Sequence, residues 1–281
     1  MLKKVYVEIG NICNLNCDFC PGTERKKEFM SVSDFKHIAS KVKKVCGYIY
    51  LHVMGEPLLH PNLDEILSVC NENKLKVSVT TNGTLLKEKE SILLSSPALY
   101  KVSVSVHSFE ANGGIDIQNY FENIYKFTKK ASEKGVIVSL RLWNLDSDKL
   151  KGRNGLNGSI TDYFLNKFPG YETNRTGYKL KKNAYIEFAE KFKWPGEGGE
   201  IKTDGRFCYA LRDQTAVLCD GTVVPCCLDR NGEMKLGNIY ENEIDEILNG
   251  ERAKMIYDGF SSLKAREKLC AECEYARRFD R

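Results

Sequence analysis

Five strand-like runs separated by four helix-like ones fill the first half of the chain, and this alternation constrains the fold more than any other feature. The strand patterns are "VYVEIG" (5–10), "YIYLHVMG" (48–55), "KVSVTTNG" (76–83), "YKVSVSVHS" (100–108) and "VIVSLRLWN" (136–144). Between them lie "SVSDFKHIASKVKKV", opened by a serine cap, then "PNLDEILSVCNENK", "KEKESILLSS" and "IQNYFENIYKFTKKASEKG", the last closed by Gly135. A strand and helix recurring every roughly 25 to 35 residues imply right-handed crossovers and a parallel sheet with helices outside. The expected class is α/β, and its chemistry should lie at the carboxyl ends of the strands.

The rhythm breaks after residue 145. "DSDKLKGRNGLNGS" reads as a polar loop, followed by a short helix around Tyr163 to Phe168 and a strand near "YIEFAEKFKW". From residue 201 a cysteine-rich tail carries one hairpin, "AVLCDGTVVPCC", in which Asp220-Gly221 signals a type I′ turn. The expected organisation is a core over 1–145, a stretch over 146–200 that completes and covers it, and a small module over 201–281.

The chain has eleven cysteines among 281 residues, and no apolar run or N-terminal segment suited to membrane insertion or secretion. Cytoplasm is the expected compartment, where an odd number of thiols points to metal and not to a disulfide framework. A net charge of +4, from 42 basic and 38 acidic residues, leaves the scattered lysines as solvated faces and disfavours nucleic acid as a partner. Cys46 and Cys70 stand alone in apolar surroundings and read as inert packing thiols. The other nine cluster at the two ends of the chain.

At the first end, "CNLNCDFC" places Cys13, Cys17 and Cys20 on one loop just after the first strand. A cubane iron–sulfur cluster takes four thiolates, so three leave one iron open to a ligand. A zinc ion with a distant fourth ligand is the plainer alternative, but the spacing, the absence of a nearby histidine and Phe19 beside Cys20 all disfavour it.

These residues resemble the signature of the radical S-adenosylmethionine superfamily, C-x3-C-x2-C with an aromatic residue before the last cysteine. The resemblance implies a partial (β/α)6 TIM-like barrel and a [4Fe-4S] cluster whose open iron chelates S-adenosylmethionine. Reductive cleavage there gives a 5′-deoxyadenosyl radical that takes hydrogen from substrate. It also implies cofactor-binding roles at successive strand ends: Gly55, Glu56 and Pro57 in "MGEP", with Glu56 receiving the cofactor's ammonium; Thr81 and Asn82 in "TTNG"; Ser105 and His107; and Arg141 and Asn144. His52 and His60 flank "MGEP" and read as structural histidines.

The tail resembles the SPASM and twitch modules of the same superfamily. Cys208 and Cys226 bracket the hairpin with 17 residues between them, and "CAEC" adds Cys270 and Cys273. The longer SPASM pattern continues with further cysteines, and the end of this chain after Cys273 favours the twitch arrangement with one auxiliary [4Fe-4S] cluster held by Cys208, Cys226, Cys270 and Cys273. A structural zinc is the alternative for these four. Cys227 competes with Cys226 as a ligand, whereas Cys219 reads as a packing thiol.

A fully ligated auxiliary cluster has no iron left for substrate, so the expected reaction is a net oxidation in which it accepts an electron. The partners implied are a small-molecule or peptide substrate and an electron donor such as flavodoxin or ferredoxin. Only twelve residues precede Cys13, which leaves no room for a leader-peptide module and lowers the peptide reading. A peptide- or RNA-modifying enzyme and a non-enzymatic iron–sulfur or zinc protein remain as alternatives.

Overall fold

Ser31 and Asp116 open two of the outer helices by accepting the backbone N–H groups of Asp34 and Asn119, as short polar caps do. In the computed structural model, which describes residues 1–111, 116–145 and 155–279, four helices separate the first five strands. The strands are β1 (Lys4–Val7), β2 (Tyr48–Tyr50), β3 (Lys76–Thr81), β4 (Leu99–Ser105) and β5 (Ile137–Leu145). The helices are α1 (Val32–Val42), α2 (Leu63–Glu72), α3 (Leu86–Ser95) and α4 (Ile117–Glu133). Gly135, at φ +86°, takes the left-handed conformation that ends α4.

Beyond them come α5 (Gly155–Lys167), β6 (Glu172–Asn174), β7 (Gly177–Lys181) and β8 (Ala184–Glu190). β8 pairs parallel to β5 and supplies a sixth parallel strand, while β7 and β6 fold back antiparallel at the edge. Part of the expected loop, residues 146–154, lies outside the described residues. The rest of it, 155–159, is the first turn of α5, so the helix is longer than its composition predicts. Asn157 explains the difference: it exchanges two amide hydrogen bonds with Asn144 of β5, at 2.9 and 2.8 Å, and both side chains are buried. A paired buried amide outweighs weak helix propensity.

The tail contributes β9 (Gln214–Val217), β10 (Thr222–Val224), β11 (Gly237–Asn238), α6 (Ile244–Leu248), α7 (Glu251–Ser261) and α8 (Lys268–Glu272). β9 lies parallel to β1 along its whole length, so the hairpin extends the sheet, whose order is β11-β10-β9-β1-β2-β3-β4-β5-β8-β7-β6. The hairpin turn differs from a type I′ turn. Gly221 is left-handed at φ +80° but Asp220 is not, and Gly221 N–H donates to Leu218 O, which makes a tight turn followed by a left-handed glycine.

The parallel register sorts the two faces of the sheet. Val5, Ile49, Val77, Val102, Val138 and Ala184 point to one side, where they pack with the helices into the main apolar core. The other side is polar: Tyr6, Tyr50, Ser78 and Lys101 are successive neighbours across four strands, and Ser105, Arg141 and Glu187 across three. The sheet is strongly curved. Arg141 on β5 is close enough to Tyr6 on β1 to affect its ionisation, although four strand spacings in a flat sheet would hold them about 19 Å apart. The polar face is therefore the concave interior of a partial barrel. A second apolar cluster, including Ala210, Met234, Ile256, Phe260 and Leu269, organises the tail.

Candidate active site and metal centres

Asn11, fully enclosed at the end of β1, shapes the cysteine loop by closing its base. Its Oδ1 accepts from Glu28 N–H and its Nδ2 donates to Lys26 O, while Met30 N–H donates to Ile9 O. The loop thus leaves the sheet and returns within one short neck. On it, Cys13 and Cys20 are exposed and Cys17 is half-buried. Cys13 Sγ lies 3.9 Å from Asn82 Nδ2 and Cys17 Sγ 3.6 Å from Ser108 O, so both thiols sit over the ends of β3 and β4. Phe19 packs on the His107 ring, with centroids 4.8 Å apart.

Gly55 brings the second strand end against this loop. At φ +79° it leaves its Cα so close to the loop that a Cβ would meet Gly10 O and Ile12 O at 2.7 and 2.8 Å, and Glu56 N–H donates to Ile12 O. Glu56 is buried, and its carboxylate accepts from Asn82 N–H at 2.7 Å and Leu58 N–H at 3.0 Å. Burial pushes its pKa up to about 7 against those two donors. Pro57 opens a short 3-10 turn behind it. Thr81 Oγ1 accepts from Gly83 N–H, and Tyr120 OH fixes the Asn82 carbonyl at 2.6 Å.

The structure thus gathers Cys13, Cys17, Gly55, Glu56, Thr81, Asn82 and His107 around one mouth. His107 Nδ1 is 3.1 Å from Arg141 O, and Ser105 O accepts from Ser108 Oγ. Arg141 stacks on Trp143 at 4.4 Å. Asn144 is engaged with Asn157 of α5 and does not join this group. His60 is satisfied at both ring nitrogens, by Met30 O and Asn62 N–H. His52 Nδ1, by contrast, is buried without a partner among the described residues, and burial pushes its pKa down to about 3.

In the tail, Cys208, Cys226, Cys270 and Cys273 line one apolar cavity, and Cys270 Sγ is 3.6 Å from Met234 Sδ. Burial raises the pKa values of Cys226 and Cys270, and the neighbouring thiols raise them further. Such a group is stable as thiolates only around a cation. The four thiols line this one space, and among the described residues no three His, Cys, Asp or Glu side chains converge on a single-ion site. Cys227 faces away from the cavity, packing beside Tyr6, Val53 and Met54 and bonding to the Tyr6 hydroxyl. Cys219 is held by Glu8. Cys46 and Cys70 are buried with raised pKa values, as packing thiols should be.

Sequence reasoning missed two buried charges. Arg206 is fully enclosed and donates to Ala271 O at 3.0 Å; burial raises the Cys273 pKa to about 11, and Arg206 opposes that rise slightly, which places a cation near the four thiols. Glu8, read only as a strand residue, accepts from Arg25 Nη2, Met54 N–H and Cys219 N–H.

The family model for the Radical SAM superfamily matches residues 7–148, just over half of the chain. The chain belongs to the radical SAM superfamily. A second model, for an iron-sulfur cluster-binding domain of SPASM type, matches residues 208–274. This radical SAM enzyme therefore uses a [4Fe-4S] cluster with S-adenosylmethionine, and its SPASM-type domain binds iron–sulfur. The residues fit both groups. The loop offers three thiols, Glu56 beside it offers a buried carboxylate suited to an ammonium, and the tail offers four thiols around an apolar space.

The chain is 24% identical over 284 residues to the S-adenosyl-L-methionine-dependent 2-deoxy-scyllo-inosamine dehydrogenase of Niallia circulans, covering 97% of this chain and 93% of that one. Other curated relatives, GTP 3′,8-cyclases among them, are spanned over only about half their own length or less. The crystal structure of BtrN with AdoMet and 2-DOIA superposes with a TM-score of 0.63 at 20% identity, covering 98% of this chain and 93% of that one. Streptococcus suis SuiB bound to its precursor peptide SuiA gives 0.59 at 18%, with 97% and 70% covered. The fold is thus the partial barrel of radical SAM enzymes. Among the described residues no helix is long and apolar enough to cross a membrane.

Proposed function

We propose that this radical SAM enzyme oxidises a small molecule by two electrons, taking a hydrogen atom at the barrel mouth and passing an electron to a single auxiliary [4Fe-4S] cluster in the tail. The observation that carries the reading is the contrast in ligand number: three thiols on the loop, four around the tail cavity. When bound, the loop cluster supplies the electron that cleaves S-adenosylmethionine to methionine and the 5′-deoxyadenosyl radical. Cys13, Cys17 and Cys20 hold that cluster, and Glu56, presented by Gly55 and Pro57, accepts the cofactor's ammonium. Thr81, Asn82, Ser105 and His107 line the cofactor's other side, and Phe19 keeps His107 in place.

A substrate that gives up a hydrogen atom must still lose a proton and one electron to leave as a stable product. Cys208, Cys226, Cys270 and Cys273 hold the electron acceptor. The overall likeness to an inosamine dehydrogenase along almost its full length supports oxidation of a small molecule over modification of a peptide. The reading divides the chain into a core over 1–145, a segment that completes and covers it over 146–200, and an auxiliary-cluster module over 201–281. An external donor of the flavodoxin or ferredoxin kind would reduce the loop cluster.

The test is anaerobic incubation of reconstituted, reduced protein with S-adenosylmethionine. It should release 5′-deoxyadenosine and methionine slowly without substrate, and Cys17→Ala should abolish this. Formation of S-adenosylhomocysteine alone would point to methyl transfer and overturn the reading.

A further inference from the structure

We infer that the concave face of the sheet, beneath the cofactor mouth, is built to hold an anionic oxygen group, a carboxylate or a phosphate, carried by the substrate. The inference rests on the proposed function, because it names the substrate class for that site. Lys4, Lys101 and Arg141 all point into this interior, from β1, β4 and β5. Among the described strand residues that share this face, the acidic side chain is Glu187 on β8, which lies 3.8 Å from Lys101. Three cations against one carboxylate leave an uncompensated positive charge on a half-buried surface. The nearby Glu8 adds no free negative charge, since Arg25 already closes on it.

Unused hydrogen-bonding atoms converge on the same face. Among the described residues, Arg141 Nε, His52 Nδ1, Thr80 Oγ1 and Ser139 Oγ are each buried without a partner. The register places Thr80 beside Ser103 and Ser103 beside Ser139, one row from Arg141. Buried polar atoms are normally satisfied, and four orphans on one concave surface mark a place where a polar ligand completes them. Aromatic rings frame the site: Lys4 Nζ sits over Tyr6 and Tyr50 at 5.3 and 5.4 Å, and Arg141 over Trp143 at 4.4 Å. The cations are thereby held in place against apolar walls, where their attraction for an anion is strongest. An amine-bearing substrate, such as the name of the inosamine dehydrogenase describes for that relative, would be repelled here.

Calorimetric titration of the reconstituted protein with inorganic phosphate and, separately, with malonate tests the inference. The wild type should bind at least one saturably, and the tighter of the two identifies phosphate or carboxylate as the group recognised. Arg141→Gln should weaken that binding at least tenfold and Lys101→Met at least threefold. Arg141→Lys should stay within threefold, and Lys36→Met, on the exposed side of α1, should change nothing. S-adenosylmethionine affinity and uncoupled 5′-deoxyadenosine release should stay within twofold in Lys101→Met and Lys36→Met. Should Arg141→Gln fail to fold by thermal melt, Lys101→Met decides alone. Absence of saturable anion binding in the wild type overturns the inference, as does an Arg141→Gln protein that loses S-adenosylmethionine instead of the anion, since Arg141 would then serve the cofactor's carboxylate. A wild type that binds the anion but never releases 5′-deoxyadenosine would refute the proposed function while leaving the anion site standing.

Discussion

Arg25 Nη2 bridges both carboxylate oxygens of Glu8, each at 2.7 Å, with Glu8 fully enclosed and the Arg25 side chain 14% exposed. The same arginine donates from Nε to Arg230 O, and Glu8 also accepts from Met54 and Cys219. One ion pair therefore ties the cysteine loop to β1, to the "MGEP" turn and to the tail. Removing a single partner strands a buried charge, so Arg25→Met should lower stability by about 3–5 kcal/mol in urea titration. Glu8→Gln combined with Arg25→Met should recover much of that loss. A single variant as stable as the wild type would mean that water replaces the pair.

Gly55→Ala should damage the loop centre selectively. The added methyl would fall against backbone atoms of residues 10–12, not against a flexible side chain, and the left-handed conformation itself costs about 1–3 kcal/mol outside glycine. Since that backbone leads directly into Cys13, anaerobic reconstitution should recover the tail iron and lose the loop iron. Full iron content with normal S-adenosylmethionine affinity would argue that the loop shifts freely.

Glu56 and His52 should give stability profiles of opposite slope in the cluster-free protein. Glu56 has a raised folded pKa of about 7 against 4.5. Between those values the folded state keeps a proton that the unfolded state has lost, so its contribution is present below pH 4.5 and lost as pH rises to 7. His52, lowered to about 3 from 6.5, does the reverse: its contribution is present above 6.5 and lost as pH falls to 3. Each changes stability by up to about 1.4 kcal/mol per pH unit in its window. Relative to the wild type, Glu56→Gln should gain stability from pH 4.5 to 7, and His52→Gln should lose it from 3 to 6.5. Variant profiles parallel to the wild type would assign the protons elsewhere.

The two thiol sets should separate in iron analysis and in turnover. Anaerobic protein should carry about eight irons per chain, and changing Cys13, Cys17 and Cys20 together to Ala should leave about four. Cys270→Ala with Cys273→Ala should spare uncoupled cleavage of S-adenosylmethionine but stop product formation, with thermal melts to confirm that the tail still folds. A folded double variant that still turns over would make the tail cluster structural only.

The parallel core was legible because strand alternation and helix spacing are local signals, and the three-thiol loop was legible because its cysteines are close in sequence. What was hidden depended on distant partners. Gly155, Gly158 and Ser159 read as a loop until the Asn144–Asn157 pair is seen to hold that segment as a helix. The "YIYLHVMG" pattern extends beyond β2, whose ladder ends at Tyr50 before the turn at Gly55 that the cysteine loop demands. Glu8 occupies one position of a strand, with nothing nearby to announce that Arg25 encloses it. Cys226 and Cys227 are adjacent, and the sequence favours Cys226 by spacing alone, whereas packing turns it to the tail cavity and Cys227 to Tyr6. The pairing of β9 with β1 joins residues more than two hundred positions apart and has no sequence signal.

That last pairing has a mechanical consequence. Four registered residue pairs fasten β9 to the strand that runs into the first thiol loop, and the hairpin continuing from β9 carries Cys226. The strand that runs into the first thiol loop and the hairpin that carries Cys226 are thus mounted on one continuous sheet. Electron tunnelling falls off steeply with distance, so a fixed mounting works as a ruler. On the proposed function, a substrate must hold its reactive carbon under the mouth while its far side reaches toward the tail, so its length selects alongside its anionic group.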